Sequence, residues 1–452
     1  MRRARLGRLA VVAALVASTT AALPVDQGPL VQLPLGVGGF QSANITYLGT
    51  LVNESPSIGG RVLEVDGQPR LYTTGAKGLS IYDLSNPALP ALLGLLPLPH
   101  FQNEDVDVSD DGSRVIISVD TAGADTRGRA GLGGIRIVDT SNPANPVLRG
   151  FISSSNHTTT CADPKCEWLY GSSGRIFDAT NPDAIVDTGK RWAPTGVSGA
   201  HALNRDEAGI MISDTSPRLV LDVSDPANPK EISRGSVAAK FGPDGLLQHN
   251  NVRPNALEWT PREEGDDDPR MRAGELLIGN SESNVRPSCG GNAGGLSTWS
   301  MVDFDKGTPI TQLEVFRPIN GTYTNGDPRV NALGCSGHWF TVDGNTVAAS
   351  WYEHGVRVID VDPATGKFTQ KGFFQPVVTE AGAAHWVIAE DGTRYILSMD
   401  YARGIDILRY DPQAPVPSQE EFDASWLANL GVVGPNASAE RYLCRLGVTQ
   451  QG

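Results

Sequence analysis

Short runs in which apolar and polar residues alternate recur along most of this chain. In GIRIVD (134–139) the apolar residues Ile135 and Ile137 alternate with other positions, and in GVRVID (355–360) Val356 and Val358 do the same. Alternation with a period of two is typical of a β-strand that buries one face. A glycine precedes both of these runs and an aspartate ends them. The pattern predicts many short strands joined by tight turns.

The strand and the turn that follows it are repeated seven times. After the aspartate, most copies continue with Ser/Thr-Asn/Asp-Pro, which favours a turn that is closed by an Asx-type hydrogen bond and a proline-fixed φ. We therefore expect these aspartates to accept turn N–H groups rather than to bind metal. The copies are GLSIYDLSNPALP (78–90), GIRIVDTSNPANP (134–146), GRIFDATNP (174–182), RLVLDVSDPANP (218–229), GVRVIDVDP (355–363) and the weaker GLSTWSMVD (295–303) and GIDILRYD (404–411).

Each copy is flanked by further strand signals. Hairpins precede it, as in VDVSDDGSRVIISVD (106–120) and VIAEDGTRYILSMD (387–400), and a short strand follows it, as in VLRGFI (147–152). Seven units of four antiparallel strands predict an all-β fold, a seven-bladed β-propeller. The last copy lacks a fourth strand, whereas an orphan strand, NITYLGTLV (44–52), precedes the first. We predict that this N-terminal strand completes the last blade and closes the ring.

At this point the repeats resemble a known family. The segments IRIVD (135–139), LVLDV (219–223) and VRVID (356–360), with their SNP and SDP turns, are similar to LVIVD-repeat proteins, and the similarity covers roughly residues 44–410. It implies a β-propeller, and many members of that family are exported bacterial proteins. It implies no activity, because propellers host many unrelated functions.

The N-terminus predicts export. Residues 1–8 carry four arginines, residues 9–16 form a short apolar run, and small residues follow up to Ala22, which together are typical of a Sec-type signal peptide. A membrane span needs about 20 apolar residues, and no segment of the chain offers them. We expect a signal peptide (1–22), a linker (23–43), the propeller (44–411) and a C-terminal tail (412–452). The mature protein is expected to be a monomer that is secreted or held in the cell envelope.

The net charge argues against one class of partner, and the cysteines indicate possible disulfides. The net charge is −14, which argues against nucleic acid, because phosphate binding needs a basic surface. The acidic run at 263–268 lacks an EF-hand pattern, so we expect a solvated loop. Export permits disulfides. Cys161 and Cys166 could close a hairpin, Cys289 and Cys335 could pair across neighbouring repeats, and Cys444 would then be left over.

Histidines recur at one position when the blades are aligned on their inner hairpins. The innermost strand of a propeller lines the central channel, so equivalent residues at one end of it form a ring. Neutral imidazoles bind transition metals, and a carboxylate in the ring could complete the site or orient a ligand. The aligned residues, which we predict as a candidate copper or iron site, are His157, His201, His249, His338, His385 and, in the second blade, Asp105.

A structural role for these histidines is the competing interpretation. Repetition copies a histidine that caps the inner strand into every blade, and Arg61 in the same ring would repel a cation unless it paired with Asp105. The presence of one histidine per blade is similar to the selenium-binding-protein/methanethiol-oxidase propellers, thought to use copper, and to the iron-dependent carotenoid-cleavage oxygenases. His100 and His354 fall outside the alignment, and we expect His354 at the surface. The polar segment 281–284 is expected on the channel face.

The sequence supports two functions. The first is a non-catalytic binding or interaction scaffold that takes a protein, glycan or small-molecule ligand at the channel mouth. The alternative is a metal-dependent copper or iron oxidase that uses the histidine ring. The sequence contains no G-x-S-x-G, H-E-x-x-H or Walker motif. A propeller hydrolase ranks last, because the adjacent Glu104 and Asp105 would point to opposite faces of a strand.

Overall fold

A computed structural model describes residues 30–34, 40–75, 77–98, 106–119, 133–197, 199–236, 247–266, 268–282, 294–318, 336–376 and 378–415. The predicted signal peptide, most of the predicted tail, Asp105, His100, Cys289, Cys335 and Cys444 lie outside these residues. The described chain consists almost entirely of β-strands, with short 3-10 helices at Val52–Glu54, Ala256–Glu258 and Phe304–Lys306. None of the helices in the described ranges is long and apolar enough to cross a membrane.

The strands form seven antiparallel sheets, which are the predicted blades. The first two strands in the chain are β1 (Phe40–Gln41) and β2 (Ile45–Leu51). Blade I contains β3 (Ser57–Val65), β4 (Gln68–Gly75), β5 (Gly78–Asp83) and β6 (Ala91–Pro97). Blade II contains β7 (Val106–Val108), β8 (Arg114–Val119), β9 (Gly134–Asp139) and β10 (Val147–Ser153). Blade III contains β11 (Thr159–Cys161), β12 (Trp168–Gly171), β13 (Arg175–Asp178) and β14 (Val186–Arg191).

The remaining blades follow in chain order. Blade IV contains β15 (Leu203–Arg205), β16 (Ile210–Ser213), β17 (Leu219–Asp222) and β18 (Lys230–Arg234). Blade V contains β19 (Leu247–Val252), β20 (Leu276–Glu282), β21 (Leu296–Ser300) and β22 (Thr311–Phe316). Blade VI contains β23 (Phe340–Asp343), β24 (Thr346–Ser350), β25 (Val356–Val361) and β26 (Phe368–Gln375), and β1 adds to its outer edge. Blade VII contains β27 (Ala381–Ile388), β28 (Arg394–Asp400) and β29 (Gly404–Tyr410).

The ring closes in the way the sequence predicts. The inner strands contact one another in the cyclic order β3, β7, β11, β15, β19, β23, β27 and back to β3. Strand β2 pairs antiparallel with β29, from Ile45 opposite Tyr410 to Leu51 opposite Ile405, and so supplies the fourth strand of blade VII. The N-terminal strand thereby covers an edge that blade VII would otherwise expose.

Four of the repeated aspartates close their turns, as expected. In four copies the carboxylate accepts the backbone N–H of the residue two positions later, which is an Asx turn. The pairs are Asp83 with Ser85, Asp139 with Ser141, Asp178 with Thr180 and Asp222 with Ser224, at 2.7–3.1 Å. These carboxylates lie at the blade turns, away from the central channel.

Two further expectations concern side chains outside the repeats. Cys161 and Cys166 form the predicted disulfide, which spans the hairpin between β11 and β12. In the acidic insertion, arginines engage two of the described carboxylates: Arg270 pairs with Asp268, and Arg272 pairs with Asp266. These carboxylates therefore form ion pairs in a polar surface loop.

Candidate functional site

Four of the predicted histidines meet at one end of the central channel. They come from four consecutive blades, III to VI. The Nε2 atoms of His157 and His201 are 2.9 Å apart. The ring centroids of His201 and His249 are 3.9 Å apart, and those of His249 and His338 are 4.2 Å apart. We call these four residues the histidine cluster, and the end of the channel that holds them the histidine end.

A carboxylate and a phenol adjoin the cluster. Glu282 ends β20, and its Oε2 lies 3.9 Å from Nε2 of His249. One ligand atom from each of His201, His249 and Glu282 can be chosen so that all three lie within 4.8 Å of one another. Tyr352 donates its hydroxyl to Oε1 of Glu282 at 2.7 Å, and its ring packs against that of His338 at a tilt, with centroids 4.6 Å apart. The φ of Tyr352 is 39°, in the left-handed region that non-glycine residues rarely adopt.

The blade structure explains why these side chains converge. His157, His201 and His338 each lie two residues before an inner strand, and His249 lies near the start of β19. Because inner strands of neighbouring blades run side by side, their first residues share one level of the channel. A hydrogen bond to neighbouring backbone then fixes the orientation of the His338 ring. The Nδ1 of His338 donates to the carbonyl oxygen of Gly382, so the lone pair of that imidazole is on Nε2.

Most of the cluster is buried. His249 and His338 are 0% and 1% exposed, His201 is 9% exposed, and His157 is partly exposed. The histidine end therefore brings imidazole nitrogens together beside one carboxylate, which is a donor set that transition metals accept.

His385 does not join the histidine cluster in this structure. In the third strands, Val358 and Ile407 both lie three residues after the opening glycine, so they are equivalent. In blade VI, Val358 pairs with Ala348, which pairs with Thr341. In blade VII, Ile407 pairs with Leu397, which pairs with His385. His385 is thus equivalent to Thr341, three residues beyond His338, and the residue at the level of His338 in blade VII is Gly382. His385 lies deeper in the channel.

The expected conflict with Arg61 is resolved by the same register. Arg61 pairs with Tyr72 and Tyr72 with Ile81, which puts Arg61 at the level of His385 rather than of the histidine cluster. Its guanidinium forms an ion pair with Asp107 at 3.3 Å. Asp105, the predicted carboxylate of the site, lies outside the described residues. Glu282 is the described carboxylate that adjoins the cluster.

The expectations for other residues near the site are met only in part. The sequence predicts Glu282 in a polar segment on the channel face; it faces the site but is the last residue of a strand. His354 is expected at the surface and is instead 2% exposed. Tyr352 and Trp339 carry no sequence signal of their own, although Trp339 follows a candidate ligand directly. Trp339 packs against His249 with ring centroids 5.0 Å apart.

The burial of His385 gives a testable pH dependence. Burial, helped by the nearby Arg61 cation, lowers the pKa of His385 to about 4. The folded protein then binds fewer protons than the unfolded chain, so this contribution to stability is complete above pH 6.5 and declines as the pH falls toward 4. We expect His385→Leu to reduce the loss of unfolding free energy between pH 7 and 4 by about 3 kcal/mol. Urea unfolding at several pH values measures it; parallel curves for the two proteins would contradict it.

The comparisons with known proteins agree with this architecture. The LVIVD-repeat family model matches residues 71–96, 130–153 and 218–236, three of the repeats described above. The chain carries LVIVD repeats and forms a β-propeller. No curated protein sequence matches this LVIVD-repeat propeller.

The similar solved structures support the fold of the LVIVD-repeat propeller and not its function. The chain is similar to the β-propeller domain of Cps50 (Swd1) from Myceliophteria thermophila, with a TM-score of 0.50 and 12% identity over 78% of this chain and 96% of that one. It is also similar to the RRP9 WD40 repeats, with a TM-score of 0.50 and 10% identity over 81% and 97% of the two chains. At such low identity these similarities carry no information about ligands.

Proposed function

We propose that this LVIVD-repeat propeller binds one transition metal ion, copper or iron, at the histidine cluster and acts as an exported metal-dependent oxidase. The observation that carries the proposal is the unbroken series of ring contacts that joins four imidazoles from four consecutive blades, with Glu282 beside them. Equivalent positions in neighbouring blades bring such histidines to one level of the channel, but strand capping does not require their rings to touch or a carboxylate to lie beside them. The backbone bond at His338 Nδ1 fits a structural role, but it also orients the ring, as is usual for metal-bound histidine.

The donor atoms suit a metal ion in type, and those of His201, His249 and Glu282 lie near enough to one another to share one ion. Metal–nitrogen bonds of about 2.0–2.1 Å put neighbouring ligand atoms about 3–3.5 Å apart. The Nε2 atoms of His157 and His201, at 2.9 Å, are close to this spacing. The atoms of His201, His249 and Glu282 need small side-chain movements from their limit of 4.8 Å. Imidazole with at most one carboxylate suits copper, iron or zinc better than magnesium or calcium.

The surrounding residues have definable roles in such a site. Bound copper or iron supplies one-electron and dioxygen chemistry. Tyr352 holds Glu282 through its hydroxyl, which keeps one carboxylate oxygen occupied and leaves the other toward His249. Trp339 packs beneath His249 and His201 and limits water access from the far side of the channel. The N-terminal segment that resembles a signal peptide supports the exported location.

Elemental analysis of the untagged mature protein, purified from its own host, tests the proposal; a His tag would confound it. We expect about one equivalent of copper or iron, which is lost in His201→Ala/His249→Ala. His385→Ala is the matched control, because it removes a buried channel histidine that lies outside the cluster, and it should retain the metal. Oxygen consumption with small sulfur compounds should disappear together with the metal.

The opposite results are equally clear. Absence of metal after incubation with copper, iron and zinc would contradict metal binding and would favour the non-catalytic scaffold. Loss of metal in the control to the same extent as in the double variant would show that the metal depends on overall folding rather than on the cluster. Circular dichroism of all three proteins distinguishes lost ligands from lost structure.

A further inference from the structure

The other end of the channel contains a separate cavity. It has a volume of about 790 Å³, within the range of about 300–1,000 Å³ that small-molecule sites occupy. It opens where the inner hairpins turn, so we call this the hairpin end. Its walls include Arg61, Asp107, Asn250, Trp339 and His385, but none of the histidine cluster. Trp339 lies between the two spaces, because it lines the cavity and also packs on His249.

Buried polar atoms in these walls lack partners. Among the described residues, Nε2 of His385, Oδ1 of Asn250, Oδ1 of Asn251 and Nε1 of Trp339 form no hydrogen bond. His385 is 7% exposed, and Asn250 and Asn251 are 4% and 2% exposed. A buried polar group without a partner costs about 1–3 kcal/mol, so several in one cavity call for an occupant that bonds to them.

The unpartnered atoms include both donors and acceptors. The indole N–H of Trp339 can only donate, and the amide oxygens of Asn250 and Asn251 can only accept. A carboxylate ligand would leave the amide oxygens unpaired, and an ammonium ligand would leave the indole N–H unpaired. Hydroxyl groups satisfy both kinds, because each one donates and accepts.

The charges on the walls also favour a neutral ligand. Each arginine of the cavity is already paired with an aspartate of another blade, Arg61 with Asp107 at 3.3 Å, Arg205 with Asp110 at 2.6 Å and Arg253 with Asp206 at 2.7 Å. Glu207 and Glu258 add negative charge to the lining. An anion therefore finds no uncompensated cation here. Fixed ion pairs beside an indole present bonding groups to hydroxyls and an apolar surface to C–H groups.

From these observations we infer that the hairpin-end cavity binds a neutral saccharide the size of a mono- or disaccharide. The His385 and Asn250 side chains bond its hydroxyl groups, and Trp339 packs against its ring. This inference does not depend on metal binding, because the two sites share no ligand residue.

Isothermal titration calorimetry of the full mature protein tests it. The probes are glucose, galactose, mannose, N-acetylglucosamine, maltose, cellobiose, lactose and chitobiose. We expect saturable binding of at least one probe, weakened at least tenfold in Asn250→Ala and in His385→Leu. Asn228→Ala changes an asparagine in an exposed blade turn and is the matched control, with unchanged affinity expected.

Three outcomes would overturn the inference. They are the absence of heat with every saccharide, equal affinity in Asn250→Ala and the wild type, and binding of succinate or spermidine in place of the sugars. The metal content of the same samples is measured in parallel. If saccharide binding fails while the metal remains, only this inference falls; if the metal is absent while saccharide binds, only the proposed function falls.

Discussion

Replacing Arg218 with methionine is expected to lower the free energy of unfolding by about 3–5 kcal/mol. Arg218 and Asp214 form an ion pair whose side chains are 1% and 0% exposed. Arg218 also donates to Gln248 Oε1 at 2.7 Å. Methionine fills much of the space but leaves the Asp214 carboxylate buried without its cation. Burial raises the pKa of Asp214, and Arg218 opposes that rise, so the variant shifts the balance toward a protonated acid or an open structure.

Urea unfolding of the wild type and Arg218→Met at pH 7 measures the effect. The matched control is Arg234→Met, since Arg234 also pairs with a carboxylate, Glu231, but at the surface, with exposures of 48% and 27%. We expect less than about 1 kcal/mol there. Asp214→Leu/Arg218→Met removes both charges and should recover part of the loss. Similar unfolding curves for Arg218→Met and the wild type would show that the buried pair contributes nothing.

This ion pair also supports the candidate metal site. The backbone N–H of Asp214 donates to the carbonyl oxygen of Ala202 at 2.9 Å, next to His201. Its side chain accepts from Nδ2 of Asn251 at 2.9 Å, two residues after His249. Two of the proposed ligands thus depend on one buried aspartate for their backbone position. A metal site needs such support, because ligand rings that turn freely lose affinity.

The sequence predicts the fold well because the same pattern of strand and turn recurs in several repeats. Glycine, an alternating strand, aspartate and an Asx-Pro turn give the third strand of most blades, and short hairpin signals give its neighbours. Even ring closure follows, because NITYLGTLV is a strand without a partner ahead of the first repeat. The added pairing of Phe40–Gln41 with blade VI is not predicted, since two residues carry no periodicity.

The candidate site is predicted less completely, and His385 shows why. An alignment on the inner hairpins makes His338 and His385 equivalent, because HWFTVDG (338–344) and HWVIAEDG (385–392) each run from the histidine to the hairpin turn. The inner strand of blade VII runs over Ala381–Ile388, however, whereas that of blade VI is only Phe340–Asp343. The distance from histidine to hairpin turn therefore does not report the level in the channel. Only strand pairing fixes that level, and a shift of three residues moves a side chain to another site.

Removing the closing strand is expected to have the second large effect. A variant that starts at residue 52 lacks β2, which buries Ile45 and Leu51 at 2% and 1% exposure and pairs along the length of β29. Burying each of these side chains contributes about 1.5–3 kcal/mol, and a typical domain is stable by only about 5–15 kcal/mol. The variant also exposes β29 as a free edge. We expect it to lose most of its stability and to aggregate.

A variant that starts at residue 42 is the matched control, because it removes β1 and the preceding segment but keeps β2. We expect it to unfold cooperatively, with a small loss of stability. A peptide of residues 42–52, supplied in trans to the shorter chain, should restore a cooperative transition, because blade VII lacks only that strand. Equal stability of the two truncated chains would mean that blade VII is complete without β2. Aggregation of the longer chain to the same extent would place the closing contact before residue 42 instead.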